Sequence, residues 1–167
     1  MGCYFRDISA RVAARAALAE SEAQLRTMME AMDQLAWMAN ADGWIFWYNK
    51  RWYEYTGTAP GEMEGWGWQA VHDPEVLPSV MEKWTAAIKT GRPFDMVSPL
   101  KGADNRFRPF LTRVNPVRDQ NGEIVWWFGT NTDITEQEQI QERLARANEN
   151  LTQFALPPAM ICRSHCA

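Results

Sequence analysis

WFGTNTDITEQ, residues 127–137, decides the fold, because a strand-like run passes here into the start of a helix. In a strand, alternate side chains lie on opposite faces. One face would carry Val125, Trp127, Gly129 and Asn131, and the other would carry Trp126, Phe128 and Thr130. Asp133 followed three residues later by Glu136 is a capping-box signature, so we expect a helix to begin there. Its apolar seam comprises Ile140, Leu144, Ala147, Leu151 and Phe154.

Four further β-prone runs precede that strand. LAWMAN and WIFWYN flank Ala41-Asp42-Gly43, and an Asp-Gly pair between such runs predicts a β-hairpin. Two more runs span roughly residues 94–101 and 106–117, before the last run at roughly 123–132. Turn-forming clusters lie at 102–105 and 119–122. The sequence therefore predicts five strands.

Two longer helices are expected before the last three strands. Residues 7–35 contain few helix breakers and show the three-and-four spacing of a heptad seam. That seam comprises Leu18, Ser21, Leu25, Met28, Met32 and Leu35. Asp73 is expected to cap the second helix, with Pro74 at its first position and Gly91 after its end. Its apolar face comprises Val76, Leu77, Val80, Met81, Trp84 and Ile88. Residues 49–72 contain Gly and Pro breakers, which predict only short helical pieces.

These elements predict an α+β fold: a five-stranded antiparallel sheet with helices packed on one face, flanked by N- and C-terminal connector helices. The sequences of the two terminal helices are similar to each other. The residues that correspond, at a constant separation along the chain, are Asp7 and Asp133, Ile8 and Ile134, Ser9 and Thr135, Leu18 and Leu144, and Leu25 and Leu151. We therefore expect residues 1–33 to form a connector helix that follows a preceding domain of the same kind. Residues 34–133 would form the domain itself, 134–156 a signalling helix and 157–167 a loose tail.

Composition limits the class of protein. The 167-residue chain has a formal net charge of −4 and a pI near 5.2, which argues against a nucleic-acid partner because phosphate affinity needs a cationic surface. No apolar run approaches the roughly 20 residues of a membrane-spanning helix. Cys3, Cys162 and Cys166 leave residues 4–161 without cysteine, so a disulfide framework is not expected. These features favour a cytoplasmic protein.

The motifs resemble one family. WFGTNTDITEQ, preceded by RFRPFLTRVNPVRDQNGEI at 106–124, resembles the C-terminal half, or PAC motif, of a PAS sensory domain. RWYEYTG at 51–57 and VHDPEVLPSVMEKWTAAIKTGRPF at 71–94 are similar to the branch found in bacterial sensor histidine kinases. The resemblance spans about residues 34–136. Asn105 stands where the turn usually has Gly, and Pro109, where many members have Trp, suggests a strand edge or bulge.

The resemblance also implies a ligand pocket. Its candidate residues are Trp84, Ile88, Phe110, Thr112, Val114, Trp127 and Asn131. Asn131 stands where flavin-binding members carry a flavin-contacting amide, but Phe110 replaces a polar group that those members use. GWGWQAVH, residues 65–72, lacks the cysteine that a flavin photoadduct requires, which leaves a small apolar or aromatic molecule as the candidate ligand. The competing interpretation, which the sequence favours, is a filled core without ligand, made of Trp37, Trp47, Trp84, Trp127 and Phe110.

Other chemistry has little support. Neither His72 nor His165 has the companions of a catalytic set, and no Gly-rich phosphate loop is present. His72 is interpreted as shaping the turn before a helix rather than as a haem ligand. Cys162, His165 and Cys166 lack an evident fourth ligand, so no metal site is predicted. The cofactor is left unknown, and no catalytic residue is assigned.

The predicted function is that of a sensory PAS module within a multidomain bacterial signalling protein, with a histidine kinase as output. Asp133, Ile134 and Thr135 would form the signal junction, since they join the last strand to the output helix. A homodimer is expected through the connector helices, with a terminal helix or second subunit over the outer aromatic residues. The candidate contact residues are Leu18, Leu25, Met28, Met32, Trp126, Phe128, Leu144 and Leu151. The alternatives are a ligand-free dimerisation and spacer module, or a sensory domain for a diguanylate cyclase or phosphodiesterase.

Overall fold

The computed structural model describes residues 3–155, with side chains described for residues 10–152. The predicted tail at 157–167, the Cys162, His165 and Cys166 set and the side chain of Phe154 lie outside the described residues. The predicted end of a preceding domain, at residues 1–6, also falls largely outside them.

The helices and strands follow one another in the order that the sequence predicts. The elements are α1 (Cys3–Glu30), β1 (Leu35–Asn40), β2 (Ile45–Tyr48), α2 (Lys50–Thr56), α3 (Pro60–Met63), a 3-10 turn (Gly67–Val71), α4 (Leu77–Thr90), β3 (Phe94–Lys101), β4 (Phe107–Arg118), β5 (Ile124–Asp133) and α5 (Thr135–Ala155). The strands form one antiparallel sheet in the order β2-β1-β5-β4-β3. The first and last strands are therefore neighbours, and the predicted α+β fold is confirmed.

The pairing of β1 with β5 fixes which side chains share a face. Trp37 lies opposite Gly129 and Met38 lies opposite Phe128. Residues directly opposite each other point to the same face of a sheet. The inner face carries Leu35, Trp37, Ala39, Trp127, Gly129 and Asn131, all of which are buried. Met38 and Phe128 are half-buried on the outer face. Trp47, an expected core residue, is opposite Met38 and is likewise only half-buried there.

The core is built around aromatic rings. Trp84 of α4 meets Trp37 and Trp127 of the sheet edge-on, with ring centroids 5.6 and 5.5 Å apart. Gly129 makes this packing possible because the indole of Trp37 occupies the space that a side chain at residue 129 would need. Helix α4 is thereby held against the inner face of the sheet.

The first helix begins and ends earlier than predicted. It ends at Glu30, whereas the periodic pattern extends to residue 35. Leu35 instead begins β1, where it lies opposite Asn131 and is buried. The apolar side chain of Leu35 fits both the heptad pattern of a helix and the alternation of a strand. The strand is formed because it buries this side chain in the sheet. Met32, predicted within the same seam, also lies beyond the helix.

The start of α4 differs as well. The expected cap, Asp73, lies four residues before the first helical residue, Leu77. Its carboxylate accepts a hydrogen bond from the backbone N–H of Glu75, which closes a separate turn. Pro78, rather than Pro74, takes the first-turn position that suits proline. Gly91 ends the helix in the left-handed conformation, as predicted.

Two strand details depart from simple alternation. The pairing of β4 with β5 skips Val125, because Val117 lies opposite Trp126 and Arg118 lies opposite Ile124. This bulge leaves Val125 exposed, so its predicted place on the inner face is wrong. The pairing of β4 with β5 begins at Phe110. Pro109 precedes that residue and has no partner on β5, so it lies at a local edge of the sheet, as predicted. Asn105 adopts the expected left-handed conformation with φ 60°.

Candidate ligand cavity

A cavity lies between the inner face of the sheet and the helices that cover it. It is lined by Trp37, Ile45, Trp52, Trp68, His72, Val80, Trp84, Phe94, Met96, Thr112, Val114 and Asn131. The space open to the centre of a water molecule is about 40 Å³. One water needs roughly 10–15 Å³ by that measure. The interior therefore has room for a small molecule and is not completely filled by its aromatic side chains.

Four of the seven predicted pocket residues line this cavity. They are Trp84, Thr112, Val114 and Asn131. Trp127 is fully buried behind the wall, where its ring packs edge-on against Trp84. Phe110 is also buried, and its ring packs against Tyr55 with centroids 4.8 Å apart. Ile88 lies a turn beyond Trp84 on α4 and is half-buried at the periphery of the core.

Eight lining residues were not among those candidates. Phe94 and Met96 of β3 lie opposite Val114 and Thr112, so extending the inward alternation by one strand would have found both. Trp52 and Trp68 come from short helical pieces between glycine and proline residues, where periodicity is too brief to define an inward face. The others are Trp37, Ile45, His72 and Val80.

Asn131 forms the polar centre of the cavity wall. Its Oδ1 accepts a hydrogen bond of 2.9 Å from Trp37 Nε1, and its Nδ2 donates one of 2.6 Å to Thr112 Oγ1. The residue is only 2% exposed. Because a buried amide is costly unless both ends are paired, these bonds explain why a polar residue is tolerated here. They also fix the orientation of the Trp37 ring.

Three other indole groups of the wall are unpaired within the part of the chain that the structure describes. Trp52, Trp68 and Trp84 are each at most 5% exposed, yet their Nε1 atoms are buried without a hydrogen-bond partner there. Buried indole N–H groups usually find an acceptor. Each unmade bond costs about 1–3 kcal/mol. These three donors are therefore buried within the packing around the cavity, and their hydrogen bonds are unmet.

His72 is the single titratable side chain among the cavity-lining residues. Its Nδ1 lies 3.1 Å from the carbonyl oxygen of Trp68, and because a carbonyl can only accept, Nδ1 carries the proton of this bond. Burial lowers the pKa of His72, although the hydrogen bond to Trp68 acts in the opposite direction. The ring is thus neutral at pH 7, with Nε2 as an acceptor. The lining set includes no Asp, Glu, Lys or Arg.

The predicted signal junction begins next to the buried aromatic pair. Asp133, the last residue of β5, lies opposite Phe110 in the sheet. Tyr55, which packs on Phe110, donates its hydroxyl to the carbonyl of Leu100 and lies under the guanidinium of Arg108. Burial raises the pKa of Tyr55; Arg108 lowers it, and the Asp133 carboxylate raises it. The end of β5 therefore pairs with a residue, Phe110, whose ring packs on Tyr55.

The remaining junction residues belong to the start of α5. The carbonyl of Ile134 accepts the backbone N–H of Glu138 at 2.9 Å, so the first helical bond begins one residue after the strand. Thr135 is the first residue of the helix. Glu136 and Glu138 add negative charge to the first turn, which favours the positive end of the helix dipole.

The predicted contact residues lie on accessible surfaces. Leu18, Leu25 and Met28 of α1 are each more than half exposed, as are Leu144 and Leu151 of α5. Trp126 and Met32 are 39% and 37% exposed, and Phe128 is half-buried. Large apolar side chains in such numbers are typical of surfaces that contact a partner.

Comparison with known proteins identifies the family to which this fold belongs. A family model described as the PAS fold matches residues 29–139. The chain therefore belongs to the PAS family and is a sensory module, as its motifs indicate. In residues 3–155, no helix is long and apolar enough to cross a membrane.

Two relatives are 30% identical to this chain. The uncharacterized protein y4lL of Sinorhizobium fredii matches over 149 residues, which is 89% of this chain and 18% of that protein. The peroxide stress-activated histidine kinase mak1 of Schizosaccharomyces pombe matches over 113 residues, 65% of this chain and 7% of that protein. The chain thus spans less than a fifth of either relative.

Solved structures show the same fold. The N-terminal domain of a diguanylate cyclase with a PAS/PAC sensor, from Marinobacter aquaeolei, superimposes with a TM-score of 0.56 at 18% identity. The match covers 63% of this chain and 98% of that structure.

Proposed function

We propose that this PAS domain is a ligand-responsive sensory unit of a longer cytoplasmic signalling protein and catalyses nothing itself. The observation that carries the proposal is the cavity, which has room for a small molecule between the sheet and the helices. A spacer module would gain from filling that space, because empty volume and unpaired donors both reduce stability.

The signal would leave the domain through β5. Asn131 and Asp133 lie two residues apart on the same face of this strand, one in the cavity wall and the other at the junction. A ligand that displaces Asn131 or the rings packed around it would alter the end of the strand. Asp133, Ile134 and Thr135 would pass this change to the output helix by population shift between two packings.

A histidine kinase is the output that we favour. The similarity to the histidine kinase mak1 supports it, since both share a PAS-type stretch at 30% identity. A diguanylate cyclase is the second candidate, which the fold shared with the Marinobacter aquaeolei sensor supports. Sequencing the reading frame that contains this domain distinguishes the two outputs.

Dimerisation through the connector helices is the second part of the proposal. Leu18 and Leu25 are a heptad apart on α1, and both are exposed. Light scattering of the 167-residue chain should give the mass of a dimer, and Leu18→Glu with Leu25→Glu should give a monomer. Ala16→Glu with Ala23→Glu adds the same charge at exposed positions off the seam and should keep the dimer. Equal masses for both variants would contradict a dimer held by this seam.

The ligand proposal is tested by blocking the cavity. Val80 lines it, whereas Val97 is exposed on the outer face of β3. In a thermal-shift screen of small metabolites, a ligand at 100 times its Kd should stabilise the wild type by about 2.7 kcal/mol. This corresponds to a rise in Tm of roughly 5–10 °C. Val80→Phe should abolish the shift, and Val97→Phe should retain it. A shift that survives Val80→Phe places the binding site elsewhere.

A further inference from the structure

One side-chain acceptor in the cavity wall makes no hydrogen bond. Three lining residues, His72, Thr112 and Asn131, carry a side-chain nitrogen or oxygen that can accept one. Oδ1 of Asn131 accepts from Trp37, and Oγ1 of Thr112 accepts from Asn131. Nδ1 of His72 donates to the carbonyl of Trp68, so Nε2 is the acceptor on this ring and is left without a partner.

This acceptor is not sealed inside the packing. Within residues 10–152, the side-chain nitrogen and oxygen atoms that are both enclosed and unpaired are Nε1 of Trp52, Trp68 and Trp84 and Oγ of Ser98. Nε2 of His72 is unpaired but is not one of these enclosed atoms, so it retains accessible surface. The residue lines the cavity and is only 8% exposed. A molecule in the cavity can therefore approach this nitrogen.

Backbone and ring contacts fix the imidazole of His72. Its backbone N–H donates to the carbonyl of Gln69 at 3.2 Å, and its backbone pairs with Leu100 of β3. Its ring meets the ring of Trp68 edge-on, with centroids 5.1 Å apart, and Nδ1 lies 3.1 Å from the carbonyl oxygen of the same residue. A ring that is already ordered loses little conformational freedom when it binds a ligand.

The charge of the ligand follows from the lining residues. None of them is Asp, Glu, Lys or Arg, and burial lowers the pKa of His72, so the wall carries no formal charge at pH 7. A carboxylate would meet a lone pair at Nε2 instead of a donor. An ammonium group would leave water without gaining an opposite charge, which is unfavourable in a buried site. The wall therefore disfavours both kinds of ion.

The size of the ligand follows from the volume of the cavity. The space open to the centre of a water molecule is about 40 Å³. One water needs roughly 10–15 Å³ by that measure, so the space is that of about three waters. The aromatic side chains around it are Trp37, Trp52, Trp68, Trp84 and Phe94. A single small ring or a short alcohol suits this space better than a long chain.

We infer that the cavity binds a compact, neutral molecule that donates a hydrogen bond from an N–H or O–H group, and that Nε2 of His72 accepts this bond. The inference rests on the proposed function and specifies the ligand class of the same site. It separates His72, which recognises the ligand, from Asn131 and Thr112, whose mutual hydrogen bond organises the wall.

Three five-membered rings test the class: pyrrole, which donates an N–H, furan, which has no donor, and pyrrolidine, which is an ammonium ion at pH 7. Titrations of the 167-residue chain are followed by the histidine ring nitrogens in long-range ¹H–¹⁵N correlation spectra. Pyrrole should move the Nε2 resonance of His72 upfield, because that nitrogen accepts a hydrogen bond. It should bind about tenfold more tightly than furan, the gain typical of one added hydrogen bond. Pyrrolidine should not bind measurably.

Variants of the two histidines assign the effect to one ring. His72→Phe keeps an aromatic ring but removes Nε2, so the affinity for pyrrole should fall about tenfold, to that for furan. His165 is the second histidine of the chain. His165→Phe should leave both affinities unchanged, and its spectrum assigns the remaining ring resonances to His72. The shift of Nε2 in the wild type is a readout that does not depend on whether His72→Phe folds.

Each contrary result is distinct. Equal binding of pyrrole and furan, or an Nε2 resonance of His72 that pyrrole does not move, overturns recognition by this acceptor. Binding of pyrrolidine as tight as that of pyrrole overturns neutrality. If none of the three rings binds, the ligand class is wrong. The proposed function is decided separately, because the comparison of Val80→Phe with Val97→Phe in the metabolite screen does not depend on these probes.

Discussion

Gly129 is the position where one added methyl group tests the aromatic core most sharply. A Cβ atom there would overlap the indole of Trp37. That ring cannot move freely, because its Nε1 is bonded to Asn131 and its face is met edge-on by Trp84 at 5.6 Å. Overpacking costs about 1–3 kcal/mol. Loss of the Trp37–Asn131 bond adds about 1 kcal/mol, and the lower backbone entropy of unfolded Ala offsets about 0.5–1 kcal/mol. Gly129→Ala should therefore reduce the free energy of unfolding by about 1–4 kcal/mol.

Urea denaturation followed by tryptophan fluorescence measures this loss. Gly61→Ala is the control, since nothing lies within 4 Å of a Cβ there, and it should leave the stability unchanged or raise it by up to about 1 kcal/mol. In a Trp37→Leu background the penalty of Gly129→Ala should fall below about 1 kcal/mol, because the overlapping ring is gone. A loss below about 0.5 kcal/mol in the wild type, or the same loss in both backgrounds, would refute the reasoning.

Other perturbations test the polar groups around the core. Asn131→Ala should lower the free energy of unfolding, measured by urea denaturation, by about 2–4 kcal/mol, since it removes two buried hydrogen bonds and leaves an indole N–H without a partner. Asn115→Ala, at an exposed position on β4, should lower it by less than about 0.5 kcal/mol. Equal losses for the two variants would contradict this prediction. Because the pKa of His72 is lowered from 6.5, the unfolded chain binds this proton first as the pH falls. Stability should therefore decrease below about pH 6.5 by up to about 1.4 kcal/mol per pH unit, and an unchanged slope in His72→Gln would rule out this origin. Tyr55→Phe removes the hydroxyl bond to the Leu100 carbonyl and should cost about 1 kcal/mol, so an unchanged urea midpoint would contradict that bond's role.

The sheet was predictable because its signals are local. The Asp-Gly pair at residues 42 and 43, the turn clusters and the alternation along β5 each depend on residues close together in the sequence. The position of β1 between β2 and β5 is not a local property, so the sequence predicted the strands but not their order, which the structure supplies.

The errors occur where two patterns compete. Leu35 satisfies both a heptad seam and a strand period, and only its burial opposite Asn131 selects the strand. Val125 follows the alternation of β5, but a bulge opposite Val117 and Arg118 turns it outward. A bulge depends on the neighbouring strand, so the sequence of β5 alone could not reveal it.

The cavity was only partly predictable for a related reason. Thr112, Val114 and Asn131 follow from alternation on two paired strands. Trp52, Trp68 and His72 come from short helical segments whose inward direction is set by tertiary packing. The unpaired indole donors are recognised only when every neighbouring acceptor is located in three dimensions.

The central claim is that this PAS domain holds a small molecule in its core. Native mass spectrometry of the 167-residue chain tests that claim most directly, after incubation with the metabolite that gives the largest shift in the thermal screen. The account predicts a noncovalent adduct on the wild type and on Val97→Phe, and none on Val80→Phe. An adduct of equal abundance on all three chains would contradict the claim, because binding would then not depend on the cavity.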